Sequence, residues 1–191
     1  MITLKQRWST MNSVVHIIGC GARPTQDLPR FAAALGNDGW DPYVILSPVG
    51  RRFLDLNEVD EYSGRAARWD LDPHDARELP HAHMVAVAPA SFNTITKLAA
   101  GIADTLALTV INEAVGGGVP VLVVPWTNPK LGAHPAYVRA MSGLREWGVQ
   151  FLPADQTSPF PWTALQEEMV RIHKPDRAIE YPDPNADRPQ R

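Results

Sequence analysis

Short apolar runs recur along this 191-residue chain, and stretches of helical character lie between them. Val14–Ile18, Tyr43–Leu46, Met84–Ala88, Val119–Val124 and Val149–Leu152 are, but for His16 and Gln150, apolar at successive rather than alternate positions. A strand of that kind is covered on both faces, the condition of a parallel sheet with helices on either side. Helical stretches are expected at about Thr25–Asn37, Thr105–Val115 and Pro135–Trp147, and a weaker strand candidate at Ala66–Trp69. Strands alternating with helices define an α/β class, so a doubly wound parallel sheet of Rossmann or flavodoxin type is expected. The length fits one domain with a sizeable core.

Such sheets place their ligands at the carboxyl ends of the strands. Here each run ends in Gly, Ser, Pro or Asn. After the first comes Gly19-Cys20-Gly21, after the second Ser47-Pro48, and after the third Pro89-Ala90-Ser91-Phe92-Asn93-Thr94. Glycines let a backbone approach a phosphate closely, and Ser47 can add a hydroxyl. The glycine turn is also readable as an ordinary tight turn, since its spacing is not the dinucleotide fingerprint. No acidic residue ends the second strand, where a ribose diol would need one, which favours a mononucleotide over NAD. Ser91 and Thr94 can cap a helix whose free N–H groups face a ligand, although a capped helix is by itself a common structural feature.

Net charge is −3, with both signs interspersed, so nothing suggests a nucleic-acid groove. No apolar run is long enough to span a bilayer, and the first residues lack the pattern of a secretory signal. A single cysteine, Cys20, rules out an internal disulfide framework and fits a reducing cytoplasm. The Pro-, Asp- and Arg-rich end, 175–191, has no periodicity and reads as a flexible or partner-binding tail. Residues 1–12 read as an N-terminal arm.

Pro89–Thr94, PASFNT, resembles the PASANT motif of the homo-oligomeric flavin-containing cysteine decarboxylases, a family that includes phosphopantothenoylcysteine decarboxylase and the lantibiotic peptidyl-cysteine decarboxylases. The continuation Lys97–Leu106 is similar to the family's. A second motif, Pro-x-Met-Asn-x-x-Met-Trp, is partly matched by Pro125–Gly132: Pro125 and Asn128 agree, whereas Thr127, Leu131 and Gly132 replace the methionines and tryptophan. The resemblance runs from about Val14 to Leu152. It implies an FMN-binding domain over 13–174 and a homo-oligomer, a trimer or a multiple of trimers. It places Gly19, Cys20, Gly21, Ser47, Pro89, Ala90, Ser91, Phe92 and Thr94 at the cofactor, and Asn93 near both cofactor and substrate carboxylate. Asp104 either accepts hydrogen bonds from the flavin edge or only caps the helix that follows. Asn128, Thr127 and Leu131 fall where the family clamps its substrate, and their departures imply a different substrate. Phe92, in place of alanine, narrows the space beside the flavin or stacks on it.

The family's reaction oxidises a cysteine side chain to a thioaldehyde with FMN as electron acceptor, and the thioaldehyde is the sink for loss of CO₂. A base must take the thiol proton, a role for a group that titrates near neutral pH. The resemblance places His74 there; His81 and His83 are further candidates, while His134 reads as a helix cap. Three functions follow: oxidative decarboxylation of a C-terminal cysteine on a ribosomally made precursor peptide, decarboxylation of the small phosphopantothenoylcysteine, or a non-catalytic FMN-binding regulatory protein.

Overall fold

A computed structural model describes residues 13–70 and 79–173. Strands β1 (Ser13–Gly19), β2 (Trp40–Leu46), β3 (Met84–Ala90), β4 (Val121–Pro125) and β5 (Gln150–Phe151) form one sheet in the order β2-β1-β3-β4-β5, every pair parallel. All seven residues of β3 are buried, as expected of a central strand covered twice. Helices α1 (Leu28–Asn37), α2 (Leu56–Ser63) and α7 (Trp162–Ile172) cover one face; α3 (Phe92–Ala99), α4 (Leu106–Gly116) and α6 (Pro135–Glu146) cover the other. A single short turn of helix, α5 (Pro129–Gly132), precedes α6.

Side-chain alternation divides the core into two layers. Val15, Ile17, Met84, Ala86 and Ala88 pack with Leu28, Leu35, Leu165 and Met169. Ile18, Val85 and Val87 pack with Ile95, Leu98, Ile111 and Leu144. Each fully buried side chain of this size contributes about 1.5–3 kcal/mol relative to exposure.

The α/β parallel fold expected from the sequence is therefore the observed one, with corrections at its margins. The helix foreseen over Thr25–Asn37 is two elements, a 3₁₀ turn at Arg23–Asp27 and then α1. Pro29 is the cause: with no N–H and a ring that clashes one turn back, it belongs in a helix's first turn. The Ala66–Trp69 segment makes one isolated parallel bridge beside β2, between Arg68 and Ile45. Leu46 N–H donates to the Arg68 carbonyl at 2.7 Å and Arg68 N–H to the Val44 carbonyl at 3.0 Å. Among the described residues no helix is long and apolar enough to cross a membrane.

Because every strand runs the same way, the turns after β1, β2, β3 and β4 share one edge of the sheet. The chain goes from β1 outward to β2 and then back across to β3, which makes the β1/β3 boundary the topological switch point.

Candidate functional site

The turns after β1 and β2 are locked together through their backbones. Ser47 N–H donates to the Gly19 carbonyl at 2.9 Å, and Gly50 N–H donates to Ser47 Oγ at 3.0 Å. Cys20 N–H donates to the Pro89 carbonyl at 3.2 Å, joining the β1 turn to the end of β3. The Thr25 hydroxyl, fully buried, donates to the Cys20 carbonyl at 2.5 Å. These bonds hold the β1 turn rigid against two neighbours.

The glycines in this region serve different ends. A Cβ on Gly19 would lie 2.3 Å from Leu28 Cδ1 and 3.0 Å from Leu46 Cδ2, so this glycine permits α1 to pack on the sheet. A Cβ on Gly21 would meet Val49 Cγ1 at 2.6 Å, and one on Gly50 would lie 2.3 Å from the Gly19 carbonyl oxygen. Of the three, Gly21 lines the crevice.

At the end of β3, Ser91 is the N-cap of α3. Its Oγ accepts from Thr94 N–H at 3.4 Å and lies 3.0 Å from Thr94 Oγ1, which in turn lies 3.1 Å from Cys20 Sγ. The helix cap is thus tied downward to the β1 turn. Burial raises the Cys20 thiol pKa, against the opposing pull of the Thr94 hydroxyl and the Ser91 backbone.

Two cavities open along this edge and share Gly21, Ser91 and Asn93. The smaller, about 300 Å³, is lined by Ser47, Thr94, Lys97 and Thr105. The larger, about 660 Å³, extends toward β4 and β5 and is walled by Phe53, Phe92 and Trp126, with Arg23, Asn128 and Gln156 at its edge. Phe92 leans onto α6, stacked on Tyr137 at 5.9 Å between centroids and edge-on to His134 at 5.7 Å. Burial raises the Tyr137 phenol pKa. Trp126 N–H donates to the Ala90 carbonyl at 2.8 Å, and its ring meets Phe160 at 5.2 Å.

Several expected site residues come together here: Gly21, Ser47, Ser91, Asn93 and Thr94, and on the other side Phe92, Thr127, Asn128 and Leu131. Others do not. Gly19, Cys20, Pro89 and Ala90 line neither cavity; Cys20 and Ala90 are fully buried beneath the turns. Asp104 is exposed, also lines neither, and pairs with Lys97 Nζ at 2.6 Å. The capping reading of Asp104 is corrected, because Thr105 is the cap of α4 and accepts from Leu108 N–H at 3.3 Å.

His74 lies outside the described residues. His83 precedes β3 at the opposite edge of the sheet, where its Nδ1 accepts from Val14 N–H at 3.0 Å. His81 lies at the same end of the strand. His134 caps α6 as expected, accepting from Ala136 N–H at 3.1 Å. Arg23, Phe53, Trp126 and Gln156 were not singled out from the sequence; Trp126 sits inside the second motif and was the one within reach.

The described residues fit FMN. Ser47 uses its oxygen toward Gly50 and keeps a hydroxyl proton to donate. Ser91 caps a helix whose opening end attracts an anion, and Gly21 exposes backbone at the shared rim. The hydroxyl-lined cavity suits a polar, phosphate-bearing tail, and the rim of Gly21, Ser91 and Asn93 leads from it to the larger cavity. This is an α/β protein of flavodoxin-like topology with a crevice suited to a mononucleotide.

A family model described as Flavoprotein matches residues 22–175, and the chain belongs to that family. The bifunctional coenzyme A biosynthesis protein CoaBC of Thermococcus kodakarensis is 35% identical over 130 residues, 67% of this chain and 31% of the relative. The chain spans about a third of the length of the CoaBC relatives it matches. Among solved structures, the FMN-dependent cysteine decarboxylase TvaF of thioviridamide biosynthesis aligns with a TM-score of 0.71 at 24% identity, covering 84% of this chain and 98% of TvaF. HAL3 from Cryptococcus neoformans aligns at 0.72 and 23% identity, covering 85% and 98%. At those identities the structural likeness speaks for the fold.

Proposed function

We propose that this flavoprotein binds FMN and oxidatively decarboxylates a C-terminal cysteine on a ribosomally made peptide, leaving an enethiol. The observation that carries the reading is the shared rim: Gly21, Ser91 and Asn93 border both the hydroxyl-lined and the aromatic cavity. A ligand tail held in the first lies beside a substrate held in the second. Bound FMN supplies a two-electron acceptor for oxidation of the cysteine side chain.

The chain's own residues bind and orient. Ser47 would donate its hydroxyl proton to a phosphate or ribityl oxygen, the helix end capped by Ser91 would attract the same anion, and Asn93, exposed at the rim, would offer its amide to the substrate. Asn128 spends Oδ1 on the Leu131 N–H at 2.9 Å and retains two amide protons for a substrate carboxylate. His74 is the proposed acceptor of the thiol proton. A homo-oligomer completes the proposal, since a crevice on the edge of one small sheet is poorly shielded from water.

The test is incubation of FMN-loaded protein with peptides ending in cysteine. Loss of the mass of CO₂ plus two hydrogens supports the reading; a flavin-loaded protein inert to such peptides refutes it. The similarity to CoaBC favours a second reading, decarboxylation of the small phosphopantothenoylcysteine, selected by turnover of that thiol and none of the peptides.

A further inference from the structure

Resting on the decarboxylase reading, we infer that Arg23 is the anion anchor of the substrate, and that the larger cavity selects an anionic substrate carrying a flat apolar group. Among the described residues, Arg23 is the one charged residue lining this cavity, and no described carboxylate lines it. A cleft lined by charge of one sign focuses attraction for the opposite sign. The other described lining groups are neutral, so none of them offsets its charge.

The backbone that carries Arg23 is fixed. Thr25 N–H donates to the Ala22 carbonyl at 3.0 Å, closing a turn around Arg23, and Thr25 itself is anchored to Cys20. Pro24, buried, removes one backbone freedom directly after it. An exposed guanidinium on a rigid stem loses less freedom on binding than one on a mobile loop.

Arg23 could have served the cofactor's phosphate instead, but the placement opposes this. It does not line the hydroxyl-rich cavity, whose cation, Lys97, comes from α3 and is paired with Asp104. Arg23 shares its cavity with Trp126 and Gln156, on the β4 and β5 side. The apolar half of the preference comes from Phe53 and Trp126. The Trp126 ring is propped by Phe160, which packs on Trp162 at 4.4 Å, which packs on Phe31 at 4.7 Å. That row of rings ties the cavity wall to the core beneath α1.

The test uses thiol-free probes, so that binding is measured apart from turnover. N-acetyl-Phe-Ser, its C-terminal amide and N-acetyl-Gly-Ser are titrated calorimetrically into FMN-loaded protein. The acid is expected to bind at least about tenfold tighter than its amide, the scale of one hydrogen bond to a charged group. In Arg23→Ala that ratio collapses below about twofold, and Arg23→Lys restores part of it. Phe over Gly is worth about tenfold, a preference lost in Trp126→Ala. FMN affinity, read by quenching of flavin fluorescence, stays within about twofold in Arg23→Ala. Equal binding of acid and amide overturns the inference, as does an Arg23→Ala variant that loses FMN rather than probe. If the probes behave as expected while cysteine peptides are not turned over, the decarboxylase reading falls and the anion site stands.

Discussion

Burial holds the His16 imidazole neutral, with its pKa lowered to about 4 from 6.5; a neighbouring His81 adds to the effect. The Pro80 carbonyl lies close enough to favour the charged form slightly, but neither ring nitrogen makes a formed hydrogen bond among the described residues. Between pH 6.5 and 4 the unfolded chain binds a proton here that the folded chain refuses. Stability is therefore full above pH 6.5, falls as pH drops toward 4, and is flat below, a loss of roughly 3 kcal/mol. His16→Phe should remove that part of the slope in urea titrations at pH 7 and pH 4.5; an unchanged slope places the acid sensitivity elsewhere. Gly50 invites a second substitution. A Cβ there would lie 2.3 Å from the Gly19 carbonyl oxygen, a backbone atom that cannot swing aside. Gly50→Ala is expected to cost about 1–3 kcal/mol by denaturant unfolding and to weaken FMN binding, because it pries apart the turns that present Gly21 and Ser47. For His74, replacement by Gln is expected to lower peptide turnover by about 10²–10⁴-fold with flavin retained; turnover within threefold of the parent removes it from the role of base.

Helix α4 is the element on which cap and core can be separated. Thr105→Ala removes the acceptor for Leu108 N–H and is expected to cost about 1 kcal/mol. Ile111→Ala, in the same helix and fully buried, is expected to cost about 2–5 kcal/mol. Both are read from the urea midpoint, and equal costs would contradict the assignment of α4's stability to its buried face. At this scale the sequence was informative wherever apolar runs were long: β3 and β4 are unbroken apolar segments bounded by turn residues, and the run in β1, Val14–Ile18, is interrupted only by His16. It was less informative at β5, two residues long, whose apolar neighbours Val149 and Leu152 extend the run beyond the paired backbone. Ala66–Trp69 made the same point in reverse, an extended segment that touches the sheet edge through one bridge only. Local pattern reports which residues are apolar, and pairing depends on what lies alongside.

For the molecule as a whole, the crevice is a consequence of topology. Parallel strands bring the turns after β1, β2, β3 and β4 to one edge, and the reversal between β1 and β3 opens a gap there. Ser47, Ser91 and Thr94 were legible because hydroxyls at strand ends in such a sheet have few other uses. Gly19 and Cys20 occupy the same turn without lining either cavity: Gly19 serves helix packing and Cys20 faces down onto Thr94. Asp104 does not cap α4, and its ion-pair partner, Lys97, lies seven residues back across a turn, where no local pattern marks it. Arg23 escaped notice because no local pattern marks an arginine whose importance comes from what the distant Trp126 and Gln156 leave around it.

The central claim, that this crevice holds riboflavin phosphate, is tested most directly by the visible spectrum of the purified, FMN-reconstituted and desalted protein. A retained flavin, one per chain and released as FMN on denaturation, is expected, with retention sharply reduced in Ser91→Ala paired with Ser47→Ala. A folded protein that stays colourless after reconstitution would contradict it.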